Sequence, residues 1–349
     1  MSRTLWLLII LMLPLTLHAQ KSKDVLSRRF LHLAFRQPDS WFSGEEALAI
    51  GDSVLKYQQP NGGWIKNQEW HRGADLTEIE NYISTGIGTT IDNGATFAEI
   101  EFLRRLYLAT NAPRYRNAFL RGVFYVLNAQ YDNGGWPQFY PLKKGYYTHI
   151  TFNDDAMVNA MYLMKGIGKN QAKYAVLDID ENLRNRCFKA YMKGLDCILK
   201  CQIMKDGKLT VWCQQHDEIT LAPAPARAYE LASFCGYGES ENILRLLMEE
   251  EEPTKDILNA IKGAKEWFRE HAIKNTIVEH FTNKEGNPDI RLKKKKGAPL
   301  LWARFYDLKT GKPFYCDRNG IPQEDLSKID YERRMGYSWI STSPNRFLE

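Results

Sequence analysis

The sequence predicts a mainly α fold: an α/α toroid, with an irregular, partly β lobe at its C-terminal end. Three observations predict it. A Gln-containing turn recurs, with Gln58, Gln130 and Gln202 spaced 72 residues apart both times. Helix-like stretches with apolar residues at three- and four-residue intervals stand before and after these turns. Beyond about residue 280 that period gives way to aromatics and β-formers joined by turn residues. Repeated units of this size bury a continuous core by stacking on their neighbours. Three helical pairs closed into a ring make a toroid; the same helices without closure make an irregular bundle.

The elements follow in chain order. "MSRTLWLLIILMLPLTLHAQ" opens with a basic Arg3, then a run from Leu5 to Leu17 that is almost wholly apolar. The run is too short for a membrane span, and Ala19 offers a small residue for cleavage. Residues 1–19 are therefore expected to be an export signal, leaving the protein periplasmic or extracellular. Residues 20–349 are expected to form a single domain, toroid about 40–280 and covering lobe about 281–349. "EEALAIGDSVLKY", "RYRNAFLRGVFYVLN" and "RCFKAYMKGLDCILK" are the helices leading into the turns "YQQPNGGW", "AQYDNGGW" and "CQIMKDGKLTVW". Ala95–Thr110, Asp155–Lys169 and Ala226–Gly236 are the expected helices leaving them. The lobe contains "APLLWARFYDLKTGKPFYCDRNG" and "GYSWIST", preceded by the tetralysine Lys293–Lys296, read as a solvated loop.

Composition bounds the function. A chain of 349 residues with 44% hydrophobic and 26% charged content is not globally disordered. A net charge of +5 suits a polyanionic partner without identifying it. Six cysteines without a CxxC pair read as buried small side chains.

Candidate site residues come from the loops before the second helices, "TTIDNGAT", "ITFNDDAM" and "APAPARAY". Asp92, Asp154 and Arg227 are expected at equivalent loop-to-helix junctions, with spacings of 62 and 73 residues. In a closed ring they would converge, bringing two carboxylates and a guanidinium into one cleft. Both aspartates are equally readable as helix N-caps, with Asp155 as the cap beside a cleft-facing Asp154. Carboxylates gathered from distant loops suit Ca²⁺. Trp64 and Trp136 follow Gly-Gly pairs and read either as flat faces for sugar rings or as turn packing. His216 and Asp217 read as a general base, a metal site, or simple structure. Arg304 and Arg318 suit bidentate carboxylate binding, or surface ion pairs.

The ordered set "NGGWIKN", "TTIDNGAT", "NGGWPQFYP", "TFNDDAM", "VWCQQHDE", "PARAYELAS", "LWARFYDL" and "GYSWIST" resembles the family 10 pectate lyases, from about Tyr57 to the C-terminus. The resemblance implies an (α/α)₃ toroid, bacterial secretion, and Ca²⁺-dependent β-elimination of polygalacturonate (pectate). It implies Arg227 as the base and Asp92 and Asp154 as contacts to Ca²⁺ or substrate. Arg304 and Arg318 are implied as uronate-binding, with Trp136 and Lys66 of the Gly-Trp turns beside them. Ile65 stands where the family often has Pro. A monomer is expected, with no nucleic-acid partner and no membrane partner after signal cleavage. Two other readings stay open. One is an inverting glycoside hydrolase on a similar ring, using Asp154 or Asp155 with Asp217. The other is a non-catalytic pectin-binding protein.

Overall fold

The computed structural model describes residues 25–348. The expected export segment, 1–19, lies outside the described residues. The chain divides into two compact units. One is the chain up to Asn128 together with Val176–Asp178; the other is Ala129–Ala175 with Ile179–Glu349.

The first unit is helical, with helices at Phe30–Arg36, Glu45–Lys56, Leu76–Thr85, Phe97–Thr110 and Pro113–Asn128. Glu45–Lys56 buries Ala47, Ile50 and Val54, the spacing that puts apolar side chains on one helix face. Phe97–Thr110 stops at Asn111, whose φ of 55° is left-handed, and Pro113 opens the next helix. Phe102 packs against Phe30 and Phe42, each pair with ring centroids 5.2 Å apart. Buried Arg105 reaches from the same helix to Asp39, with Nη2 2.6 Å from Oδ1, and lies over the Phe42 ring.

In the second unit, helices at Ala156–Gly168, Glu181–Cys201, Glu239–Met248 and Lys255–Glu270 carry the core. Asp180 and Thr254 cap two of them by accepting from the Leu183 and Ile257 N–H groups. The rest is partly β. A four-stranded antiparallel sheet runs in the order Pro322–Gln323, Pro313–Cys316, Phe305–Asp307, Ser233–Cys235. A separate hairpin pairs Thr276–Thr282 with Pro288–Lys294. It takes up Lys293 and Lys294, so half of the tetralysine is strand rather than loop. All six cysteines are buried thiols. Among the described residues no helix is long and apolar enough to cross a membrane.

The 72-residue recurrence is a structural joint. Gln58 Nε2 donates to Gly62 O and Ala118 O at 2.8 and 2.9 Å. Gln130 repeats this on Gly134 O and Ala190 O at 3.0 and 2.8 Å. Gln202 does so on Thr210 O and Ala260 O at 2.7 and 2.9 Å. Each amide thus ties its own turn to the next repeat's helix. The tryptophans serve the same joint. Trp64 Nε1 donates to Val54 O and Trp212 Nε1 to Ile198 O, inside the helices that precede them. Trp136 is 0% exposed and offers no face to a sugar. The reading of Trp136 as a substrate platform is therefore corrected to turn packing. The Gly-Gly pair lets the backbone, not a ligand, come close: a Cβ on Gly134 would meet Lys193 O at 2.1 Å.

One expected helix is absent. Ala226–Gly236 forms a turn in which Glu230 N–H donates to Arg227 O, then the strand Ser233–Cys235. The helix comes later, at Glu239–Met248. Pairing with Phe305–Asp307 claims the segment for the sheet, a long-range contact that overrides local helical period.

Candidate active site

Asp92 and Asp154 each sit in a three-residue 3₁₀ turn ahead of a helix, Asp92–Gly94 and Asn153–Asp155. The middle residue is left-handed in both, Asn93 at φ 53° and Asp154 at φ 52°. Short Asn and Asp side chains tolerate that conformation. The aspartates are therefore offset by one position: Asp154 matches Asn93, and Asp92 matches Asn153. Asp92 is 1% exposed beneath its turn, whereas Asp154 is exposed on its tip. Asp155 occupies the N-cap position but makes no capping bond; its Oδ1 accepts from Asn242.

In the first unit, Lys66 Nζ lies 2.6 Å from Asp92 Oδ2. Asp92 Oδ1 is buried without a hydrogen-bond partner. Lys66 therefore bonds directly to Asp92 and neutralises it.

In the second unit a continuous network starts at Asp154. Asn153 Nδ2 donates to Asp154 Oδ2 at 2.7 Å. Gln214 Nε2 donates to Asn153 Oδ1 at 3.1 Å and to Glu239 Oε1 at 3.0 Å. The same Glu239 oxygen accepts from Arg304 Nη2 at 2.6 Å. The Arg304 guanidinium lies 4.9 Å from the Tyr337 ring. Tyr337 donates its hydroxyl to Glu230 Oε1 at 3.1 Å, and Glu230 Oε2 stands 3.6 Å from Arg227 Nε. Arg227 Nη1 donates to the Tyr229 hydroxyl at 3.1 Å. Arg318 lies with its guanidinium 5.7 Å from the Tyr229 ring, forked onto Glu332 through bonds of 2.9 and 3.1 Å. Asp154, Arg227, Arg304 and Arg318, scattered over 165 residues of sequence, meet here through residues that the motif reading left without a role.

The electrostatics of Arg227 favour its cation. The missing helix leaves no helix terminus to ease its deprotonation. Burial does oppose its charge, but the Tyr229 hydroxyl, the Glu230 carboxylate and the Tyr146 hydroxyl outweigh it, and the pKa stands above the ordinary arginine value. Burial together with a hydrogen bond to Tyr147 pushes the Tyr146 phenol up to about 12, against the pull of Arg227. Arg304 is also held as a cation: burial opposes its charge, but Glu239 and neighbouring tyrosines outweigh it.

His216 is not a chemical group. It is 0% exposed, its Nδ1 donates to Leu221 O at 2.8 Å, and its Nε2 accepts from Cys213 N–H at 3.1 Å. Burial holds its pKa down to about 4, so it stays neutral. Asp217 Oδ1 is spent on the Ile219 N–H, the Thr220 N–H and the Thr220 hydroxyl. The pairing of Ile150 with His216 does bring His149 to Glu218, Nδ1 to Oε2 at 2.9 Å. His149, Asp217 and Glu218 have atoms within 4.8 Å of one another that could hold a metal. An imidazole in that set suits a transition metal better than Ca²⁺. For Ca²⁺ the fitting donors are hard carboxylate oxygens, which the exposed Asp154 offers in the second unit. In the first unit the buried Asp92 has one oxygen on Lys66 and the other, Oδ1, without a hydrogen-bond partner.

The family model described as "Pectic acid lyase" matches residues 58–348. Among solved structures, the chain is similar to the Family 10 polysaccharide lyase from Cellvibrio cellulosa, with 33% identity and a TM-score of 0.76. It is similar to a mutant of that lyase in complex with trigalacturonic acid at 32% identity, again with a TM-score of 0.76. Both matches cover 91% of this chain and 93% of the other. A comparison with curated proteins finds no match.

Proposed function

Since the chain belongs to the pectic acid lyase family and is a polysaccharide lyase, we propose that it cleaves α-1,4-polygalacturonate by Ca²⁺-assisted β-elimination, leaving 4,5-unsaturated oligogalacturonates. The single observation that carries this reading is the network joining Asp154 to three guanidiniums, Arg227, Arg304 and Arg318. Carboxylate oxygens for a hard cation and forks for uronates are what an acidic polysaccharide requires. The relative bound to trigalacturonic acid supports the substrate class.

In the proposed reaction, the proton leaves C5 of a galacturonate, its electron pair forms the C4–C5 double bond, and the C4–O bond breaks. The departing oxygen takes up a proton from water. Asp154 is the side chain that would hold Ca²⁺, which when bound would draw charge from the uronate carboxylate and acidify C5–H; Asp92 is proposed as a further contact to Ca²⁺ or substrate. Arg227, in its neutral form, accepts the proton from C5. Arg304 and Arg318 grip neighbouring uronates by paired hydrogen bonds, and Lys66 adds a cation beside Asp92. Because Glu230 and two hydroxyls stabilise the Arg227 cation, turnover rises with pH into the alkaline range. A neutral optimum governed by His216 is not expected, because that imidazole is buried and fully bonded. We further assign residues 20–349 to one exported, monomeric catalytic domain with an (α/α)₃ toroid.

The test is incubation with polygalacturonate at alkaline pH, recording ultraviolet absorbance with added Ca²⁺ or with chelator. Absorbance that rises with Ca²⁺ and stops with chelator supports the proposal. New reducing ends without absorbance would show hydrolysis and end it.

A further inference from the structure

Two tyrosines hold the proposed base, and behind both rings lies a fourth arginine to which the proposed reaction gives no role. We propose that Arg333 is the positioning residue of Arg227, acting through Tyr229 and Tyr337. This inference rests on the reading of Arg227 as proton acceptor. Arg333 comes from the short helix Tyr331–Gly336 and is 5% exposed. Its Nη2 donates to Gly336 O at 3.3 Å, while its Nε is buried without a hydrogen-bond partner. A cation so buried needs compensation, and aromatic faces provide it. The guanidinium carbon lies 4.4 Å from the Tyr229 ring and 4.8 Å from the Tyr337 ring. The two rings meet edge-on, 5.5 Å apart.

Each ring hands this placement on to Arg227. The Tyr229 hydroxyl accepts from Arg227 Nη1 and so fixes the reacting end of the side chain. The Tyr337 hydroxyl donates to Glu230, whose other oxygen accepts from the Arg227 backbone N–H at 3.4 Å. One planar cation thus sets both the head and the turn of the base. The Arg333 carbonyl is itself pinned by Trp339 Nε1 at 3.0 Å, so its helix cannot drift from the rings. A lysine ammonium is a point charge and does not span two rings as a flat guanidinium does.

The experiment compares wild type, Arg333→Met, Arg333→Lys and Tyr229→Phe on trigalacturonate with Ca²⁺, with thermal unfolding as a control for folding. Arg333→Met should lower kcat about tenfold to a hundredfold with KM within about twofold, the pattern of a misplaced reacting group. Arg333→Lys should recover part of that loss. Adding Arg333→Met to Tyr229→Phe should cost less than Arg333→Met costs in wild type, because the Tyr229 arm is already lost and only the Tyr337 arm remains. Wild-type kcat in Arg333→Met, or a raised KM at unchanged kcat, overturns the inference. If the Met variant does not fold, Arg333→Lys decides by the same two readings. Arg227→Lys separates the layers. If it keeps turnover, the base reading fails and this inference with it. If it is inactive while Arg333→Met is fully active, only the positioning role fails.

Discussion

Arg227 is held as a cation by a carboxylate that can be neutralised without removing its shape. Glu230→Gln can keep the bond from Tyr337 and the backbone bond from residue 230 N–H to Arg227 O, gives up the 3.4 Å bond from the Arg227 N–H, and removes the charge 3.6 Å from Arg227 Nε. The alkaline-rising limb of its kcat profile should move to lower pH; a limb that stays in place would detach Glu230 from the base. Two buried groups outside the chemistry set the pH range of stability with opposite signs. His216 has a folded pKa of about 4 against an ordinary 6.5. Its contribution is complete above about 6.5 and is lost as pH falls toward 4, worth about 3 kcal/mol. Glu99, paired with Trp70 Nε1 at 2.7 Å, is raised by burial to about 7 from 4.5. Its contribution is complete below 4.5 and is lost as pH rises through 7. Glu99→Gln should therefore raise the urea midpoint at pH 8 and leave it nearly unchanged at pH 4.5. An equal shift at both pH values would contradict this.

At the scale of elements, the repeated turn is where sequence pattern and packing coincide. Gly134 has φ 92° and Lys193 O in the way of any Cβ, whereas Gly286 has φ 81° and open space. Gly134→Ala should cost more than about 3 kcal/mol or prevent folding, and Gly286→Ala only about 1 kcal/mol. Equal costs in chemical denaturation would mean that the turn does not pack as described. The same repeat explains what was misread. A Gly-Gly-Trp turn presents the same letters whether its indole faces a sugar or a helix, and only burial separates the two. Likewise "ARAYELAS" has helical spacing, but Ser233–Cys235 finds a partner in Phe305–Asp307, about 70 residues away, which no local window contains.

Over the whole molecule, the helices leading into and out of the first two turns were legible because their apolar period is strong. Asp154, Arg227, Arg304 and Arg318 were legible as separate motif residues. What joins them was not, since Gln214, Glu239, Tyr337 and Arg333 acquire meaning only through contacts between distant segments. His149 was missed for the same reason: strand pairing, not spacing, sets it beside Glu218. The central claim is that this assembly serves proton abstraction by Arg227. Single-turnover cleavage of trigalacturonate by wild type and Arg227→Lys at alkaline pH with Ca²⁺ tests it most directly, with substrate binding measured in parallel. The expected result is a rate lower by about a thousandfold or more with binding retained; a rate within tenfold of wild type would contradict it.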